Sequence, residues 1–314
     1  MIRYILKRLG QSLLVLFIVT VMVFLVMHMI PGDPIQIVLG DSATPEQIEF
    51  YTKEFGLDQP LHIQYIRWIA GLFRGEMGRS VSFSTDVKQL LGPRIVASLT
   101  VALPAFFLAV IVGVTLGILA ATHRGKWLDS AISVVANIGI ATPSFWIGIL
   151  LVFIFAIGLG WLPVQGYTPL AENAGQSIRQ LIIPVIVLAL GPTASFARQT
   201  RSAMLEVISQ DYIRTARSKG LKEKTITIRH ALHNALIPIV TLMGMSLGHV
   251  VGGSVIVERL FVIPGMGTLL MTAITSKDYM VVQNVVLIIA AFVLACNLLV
   301  DILYGYIDPR IRVE

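Results

Sequence analysis

The 314-residue sequence is 55% hydrophobic and only 13% charged, and its mean hydropathy of +0.80 excludes an ordinary water-soluble domain. A formal charge of +6 could suit a nucleic-acid binder, but the basic residues sit between long apolar runs and form no basic, aromatic-studded face, which argues against that partner and for membrane lipid. The single cysteine, Cys296, lies in an apolar run and leaves neither a disulfide framework nor a cysteine metal site.

From the amino terminus, Arg3, Lys7 and Arg8 precede Leu9 to Ile30, which is 22 residues without a charged side chain and without a small-x-small cleavage site before Pro31. This is long enough to cross about 30 Å of hydrocarbon and reads as an uncleaved signal anchor, so residues 1–30 form a short cytoplasmic terminus and a first transmembrane helix. Residues 31–96 have mixed charge and read as a small folded external cap. Within it Thr44 is placed to cap a helix over Pro45 to Phe55, with Pro45 in the first position.

Five further apolar stretches follow, at about 97–121, 131–157, 181–197, 236–257 and 280–303. The fold class is therefore all-α, a polytopic membrane protein of about six transmembrane helices. The fourth stretch is short, bounded by Arg179 and Arg198, and carries Pro184 and Pro192; with Pro143, these prolines are expected to kink helices. Lysine and arginine are retained on the cytoplasmic side of short loops. With both termini inside, fifteen of them fall in cytoplasmic segments, while the two later external loops hold only Arg179, Arg259 and Lys277.

The cytoplasmic loop of about 198–234 is too long to be a simple turn. In Ser209-Gln-Asp-Tyr-Ile-Arg-Thr-Ala-Arg-Ser-Lys-Gly220, Ser209 can cap a helix, Asp211 and Lys219 suit the two ends of its dipole, and Gly220 suits a left-handed bend. A second helix over Lys222 to Ile237 then sets Ile228, Leu232, Ala235 and Leu236 on one face before Pro238. The first helix is too short to be stable alone, so Ile213 and Ala216 need a surface to pack against, and another protein is expected to supply it.

Tyr212-Ile-Arg-Thr-Ala-Arg-Ser-Lys-Gly220, followed after seventeen residues by Pro238, resembles the cytoplasmic "EAA" loop of bacterial ABC-importer permeases of the dipeptide, oligopeptide and nickel branch. Pro31-Gly-Asp-Pro34, Phe55-Gly-Leu-Asp-Gln-Pro-Leu61, Gly75-Glu-Met-Gly78, Gly252-Gly-Ser-Val-Ile-Val-Glu258, Pro264-Gly-Met-Gly267 and Asp308-Pro-Arg310 are similar, in this order, to that branch's first permease subunit. Arg214 and Thr215 stand where the motif's eponymous Glu and Ala would fall, and the step to Pro238 is longer than in sugar permeases.

The resemblance implies that 97–314 is a permease core in a bacterial inner membrane, forming half of a translocation pathway for peptides or similar small solutes. It implies as partners a second homologous permease, two cytoplasmic ATPases holding ATP and Mg, and an external solute-binding protein. It also makes Tyr212, Arg214, Thr215, Ala216, Lys219 and Gly220 the ATPase-coupling residues. The chain should not be its own motor or an enzyme: Gly125-Lys126 is preceded by Ala120 and followed by Trp127, which breaks the phosphate-loop pattern, and no nucleophile, base and orienter set stands out.

Gly244, Gly248 and Gly252 recur every fourth residue and would let a helix approach closely, either within this subunit or across a subunit interface. Polar groups at membrane depth usually face a cavity or a partner, and His249, Ser254 and Asn137 are the pathway candidates among Thr142, Ser144, Asn297 and Asp301. An ion-coupled secondary transporter is the alternative. It ordinarily needs intramembrane carboxylates, of which only a peripheral one, Asp301, is apparent; no metal-ligand spacing is seen.

Overall fold

The computed structural model describes residues 2–29, 35 and 44–307. The Pro31-Gly-Asp-Pro34 and Asp308-Pro-Arg310 motifs and the side chain of His249 lie outside the described residues. The described residues form helices and no named strand, with one isolated bridge between Arg79 and Asp86. Among the described residues, five helices are long and apolar enough to cross a membrane, and six if one sharply bent pair counts as a single span.

The helices are α1 (Ile2–Met29), α2 (Pro45–Phe55), α3 (Leu61–Arg74), α4 (Val87–Thr122), α5 (Trp127–Ala141) and α6 (Ser144–Leu151), which runs on into a π-helical Val152–Gly158. Then come α7 (Ala174–Ile208), α8 (Asp211–Ser218), a lead-in of Glu223–Thr225 and a π-helical Ile226–Leu232, α9 (His233–Leu260), α10 (Met266–Thr275) and α11 (Tyr279–Ile307). The expected third span is the bent pair: α5 and α6 meet at 104°, with Thr142 ending one and Pro143 opening the other. Proline has no N–H to give the preceding turn, so the break falls there. The fourth span is not short: α7 runs 35 residues with Pro184 and Pro192 inside it. At 1.5 Å per residue that is about 52 Å, well beyond the hydrocarbon thickness.

The chain divides into two compact units. One comprises Leu9–Ser98 and Pro264–Leu294. Its core joins Met27, Val87 and Leu91 to Met266, Leu269, Val281 and Val285. Here α2 is capped as its sequence suggests: Gln47 N donates to Thr44 Oγ1 (3.3 Å) and Thr44 N donates to Gln47 Oε1 (3.0 Å). Helices α3 and α10 had no counterpart in the sequence reading. Tyr65 of α3 lies within hydrogen-bonding distance of Thr20 of α1 (2.8 Å), and Trp68 stacks on Phe24. Asp278, 1% exposed, caps α11 and accepts from Ser80 Oγ (2.5 Å) and Ser82 N (3.1 Å). Asn284 donates to the Met77 carbonyl (2.9 Å), and Gly78 sits at φ +78° where a Cβ would lie 3.1 Å from Met280 Sδ. These contacts account physically for Met77 and Gly78 of the Gly75-Glu-Met-Gly78 motif.

The other unit comprises Met1–Arg8, Leu99–Ile263 and Ala295–Glu314. In it α4 and α7 approach so closely that a Cβ on Gly113 would lie 2.6 Å from the Thr193 carbonyl, and one on Gly117 2.7 Å from the Ala197 carbonyl. Asp129, 5% exposed, accepts from Arg201 (2.5 and 2.9 Å) and from the Gly125 amide (3.1 Å), tying α5 to α7. Asp301 pairs with Arg8 at 3.4 Å.

Candidate functional site

Helix α8 is eight residues long and could not persist alone in water, so its position depends on what it buries. Ile213 (0% exposed) and Ala216 (8%) point into a cluster with Ala121, Ala203, Met204, Ile226, Ala231 and Ala235. The surface they need is therefore supplied by the chain itself, by the end of α4, the last turns of α7 and the helical segment entering α9. This corrects the expectation that another protein covers them. Burial of the Ile213 side chain contributes about 1.5–3 kcal/mol toward seating the helix.

The opposite face is open: Asp211, Tyr212, Arg214, Thr215, Arg217, Ser218 and Lys219 are all exposed, as is Gly220. Its position is fixed from both ends. Gly220 adopts φ +77°, and its N–H donates to the Arg217 carbonyl (2.9 Å) while that of Leu221 reaches Ala216 (3.4 Å), closing α8 with the left-handed residue expected. Across the bend Arg217 donates to both Glu223 oxygens (2.8 and 3.4 Å), and this hydrogen bonding holds the guanidinium still more firmly charged. Asn234 donates to the Tyr212 hydroxyl (3.0 Å), tying the exposed ring to the following helical segment. The result is a hydrogen-bonded helix whose outer face exposes three cations and a tyrosine.

Two local expectations are corrected. Ser209 closes α7, donating to the Glu206 carbonyl (2.7 Å), and Gln210 precedes α8 without a side-chain cap, so only the Asp211 carboxylate complements the first turn. The inward face of the second helix is Ile226, Ala231, Ala235 and Ile239, all 1% exposed or less, whereas Ile228 is 53% exposed. The five-residue step from 226 to 231 is taken through the π-helical turn, which shifts the register from the expected 3.6-residue face.

The glycine stripe splits. A Cβ on Gly244 would lie 2.8 Å from Val300 of the same chain, so Gly244 is a packing residue; Gly248 is half-buried, and Gly252 has nothing within 4 Å. Among the pathway candidates, exposed Asn137 borders a cavity of about 330 Å³ that Ser133, Arg198 and Arg201 also line. Ser254 is 1% exposed and donates to Glu258 (2.9 Å), itself 0% exposed. Glu258 was passed over in the sequence, where it ends a family-like motif. With Asp129, it means that Asp301 is not the one carboxylate to be weighed among the apolar helices, and a carboxylate in such a helix was signal enough to note it. No group of three or more His, Cys, Asp or Glu able to hold a metal occurs among the described residues.

Comparison with known proteins gives a consistent result. Residues 113–313 match the family described as "Binding-protein-dependent transport system inner membrane component", and residues 1–92 match its N-terminal component. A putative peptide transport system permease protein of Brucella abortus (strain 2308) is 43% identical over 310 residues, covering 99% of each chain. The glutathione transport system permease protein GsiC of Salmonella paratyphi A is 39% identical over 312 residues, again covering 99% of each. Among solved structures, an inward-facing MetNI methionine ABC transporter aligns with TM-score 0.58 at 19% identity, over 70% of this chain and 97% of that one; at that identity it supports the fold alone.

Proposed function

The chain belongs to the family of binding-protein-dependent transport system inner membrane components, and from that membership we propose that it forms half of the translocation pathway of an ATP-driven importer of peptides or similar small solutes. It is a multi-pass permease subunit of an ABC importer and not an ATPase. The proposed partners are a second homologous permease, two cytoplasmic ATPases that hold ATP and Mg, and an external solute-binding protein. The proposed orientation has both termini in the cytoplasm of a bacterial inner membrane, which would put α8 on the ATPase side.

The observation that carries the coupling role is the two-sidedness of α8. Ile213 and Ala216 bolt it to the transmembrane helices, while Tyr212, Arg214, Thr215 and Lys219 face outward beside the Gly220 bend. A rigid element gripped by an ATPase groove and seated on α4, α7 and α9 can convert closure of the nucleotide site into a rocking motion of the helices. Ala216 then belongs to the seat rather than the gripped face. The relatives named as peptide and glutathione permeases support a peptide-like cargo.

Reconstitution tests this reading. Vesicles holding the two permeases and two ATPases, with the external binding protein added, should accumulate labelled dipeptide only when ATP is supplied. Accumulation driven by a proton or sodium gradient through this chain alone would reject it. Reporters fused after Asn173 should lie outside and those after Lys219 inside; the reverse result would displace the coupling site.

A further inference from the structure

The unit formed by Leu9–Ser98 and Pro264–Leu294 contains a cavity of about 270 Å³. It lies among α1, α3 and the start of α11, with Phe24, Trp68 and Tyr279 among its walls. This approaches the roughly 300 Å³ at which small-molecule sites begin, and its lining sets polar and charged side chains, His28, Gln64, Arg67, Glu76, Arg79 and Gln283, beside the apolar walls.

Several of those polar groups are already engaged. His28 lies within hydrogen-bonding distance of the Phe24 carbonyl and Gln64 Oε1, Gln64 donates to Gln59 and Leu57, and Arg79 donates to the Ser84 carbonyl. Four are not. The Trp68 indole N–H is buried without a partner in a side chain only 7% exposed. Gln283, 2% exposed, makes no side-chain hydrogen bond among the described residues. Arg67 and Glu76 line the same cavity and form no ion pair among the described residues. Arg67 is brought there by Gly56, whose φ of +65° suits glycine and where a Cβ would lie 2.7 Å from the guanidinium. Of the four, the Trp68 donor is the one buried atom left without a partner, at a cost of about 1–3 kcal/mol, while Arg67 and Glu76 are exposed at the rim, so a ligand reaching inward from those two charges would satisfy it.

We propose that this cavity is a binding site for a small zwitterion with an apolar body, of amino-acid to dipeptide size. Its carboxylate is taken by Arg67, its ammonium by Glu76, and its interior polar atoms by the Trp68 N–H and the Gln283 amide. The choice of ligand class rests on the peptide cargo proposed above; the site itself rests on the unpartnered groups. It would hold solute on this subunit independently of the external binding protein.

The test uses the reconstituted complex of permeases and ATPases without the binding protein, and radiolabelled Ala-Phe as probe. Saturable binding is expected, with N-acetyl-Ala-Phe-amide failing to compete because it lacks both charges. Arg67→Gln, at the exposed rim and harmless to folding, and Gln283→Leu, similar in size, should each weaken binding by about tenfold or more, as expected for lost charged or buried hydrogen bonds. Binding that is absent, unchanged in both variants, or equally competed by the neutral analogue overturns the site. ATP-driven uptake is measured on the same vesicles with binding protein added. Normal uptake alongside cavity-independent binding leaves the transport reading standing and removes the site; cavity-dependent binding without ATP-driven uptake supports the site and counts against the transport reading.

Discussion

Ile213→Ala isolates the seat of α8 from its gripped face. Ile213 is 0% exposed within the cluster that includes Met204, Ile226 and Ala231, and Ala keeps the helix propensity while removing the buried branch. Truncations of this kind cost about 2–5 kcal/mol. Since α8 has only Ile213 and Ala216 buried, most of that cost should fall on its local docking rather than on the long helices. A loss of about 2–4 kcal/mol would raise the undocked population by about 30- to 1000-fold. Hydrogen–deuterium exchange over residues 211–221 of the reconstituted subunit should accelerate by a comparable factor, with little change in α4, and ATPase attachment should fall with it. Exchange at the wild-type rate, despite a correctly inserted Ile213→Ala chain, would refute the argument that the cluster seats the helix.

Gly220→Val places a β-branched residue at φ +77° with nothing within 4 Å, so backbone strain on the order of 1 kcal/mol is the expected intrachain effect. Abundance should persist while ATP-coupled uptake declines, and Gly220→Asn, which tolerates that φ, should be milder. Gly117→Ala puts a Cβ 2.5 Å from Thr200 Cβ and 2.7 Å from the Ala197 carbonyl, forcing α4 from α7 at about 1–3 kcal/mol; a lower unfolding midpoint in detergent checks it. Arg201→Met leaves the Asp129 carboxylate buried with the Gly125 amide and the Ser133 side chain as hydrogen-bond partners but no counter-charge. Because Arg201 itself is 31% exposed, the loss should sit near the lower end of about 3–5 kcal/mol, and adding Asp129→Leu should recover part of the midpoint.

The apolar runs made the spans legible because each must satisfy its own backbone, and Thr44 with Pro45 announced α2 through side chains that act locally. Gly220 was legible for the same reason: its conformation is a property of one residue. The extent of α7 was hidden because Arg179 and Arg198 look like boundaries; in the fold Arg179 donates to the Trp161 carbonyl (2.9 Å), and the helix continues through Arg198 and Arg201. The inward face of the segment entering α9 was unreadable because a π-helical turn changes the period without a distinctive residue. The partners of Ile213 and Ala216 were missed because they come from residues as distant in sequence as Ala121 and Ala235. A pattern can show that a face must be buried but not by what.

Cysteine cross-linking to the ATPase subunits tests the coupling account most directly. In a Cys296→Ser background, Thr215→Cys on the exposed face of α8 should cross-link to an ATPase chain, while Ala216→Cys, on the face packed against α4, α7 and the segment entering α9, should not. Cross-linking from position 216 but not 215, or from neither in an assembled and transport-competent complex, would contradict it.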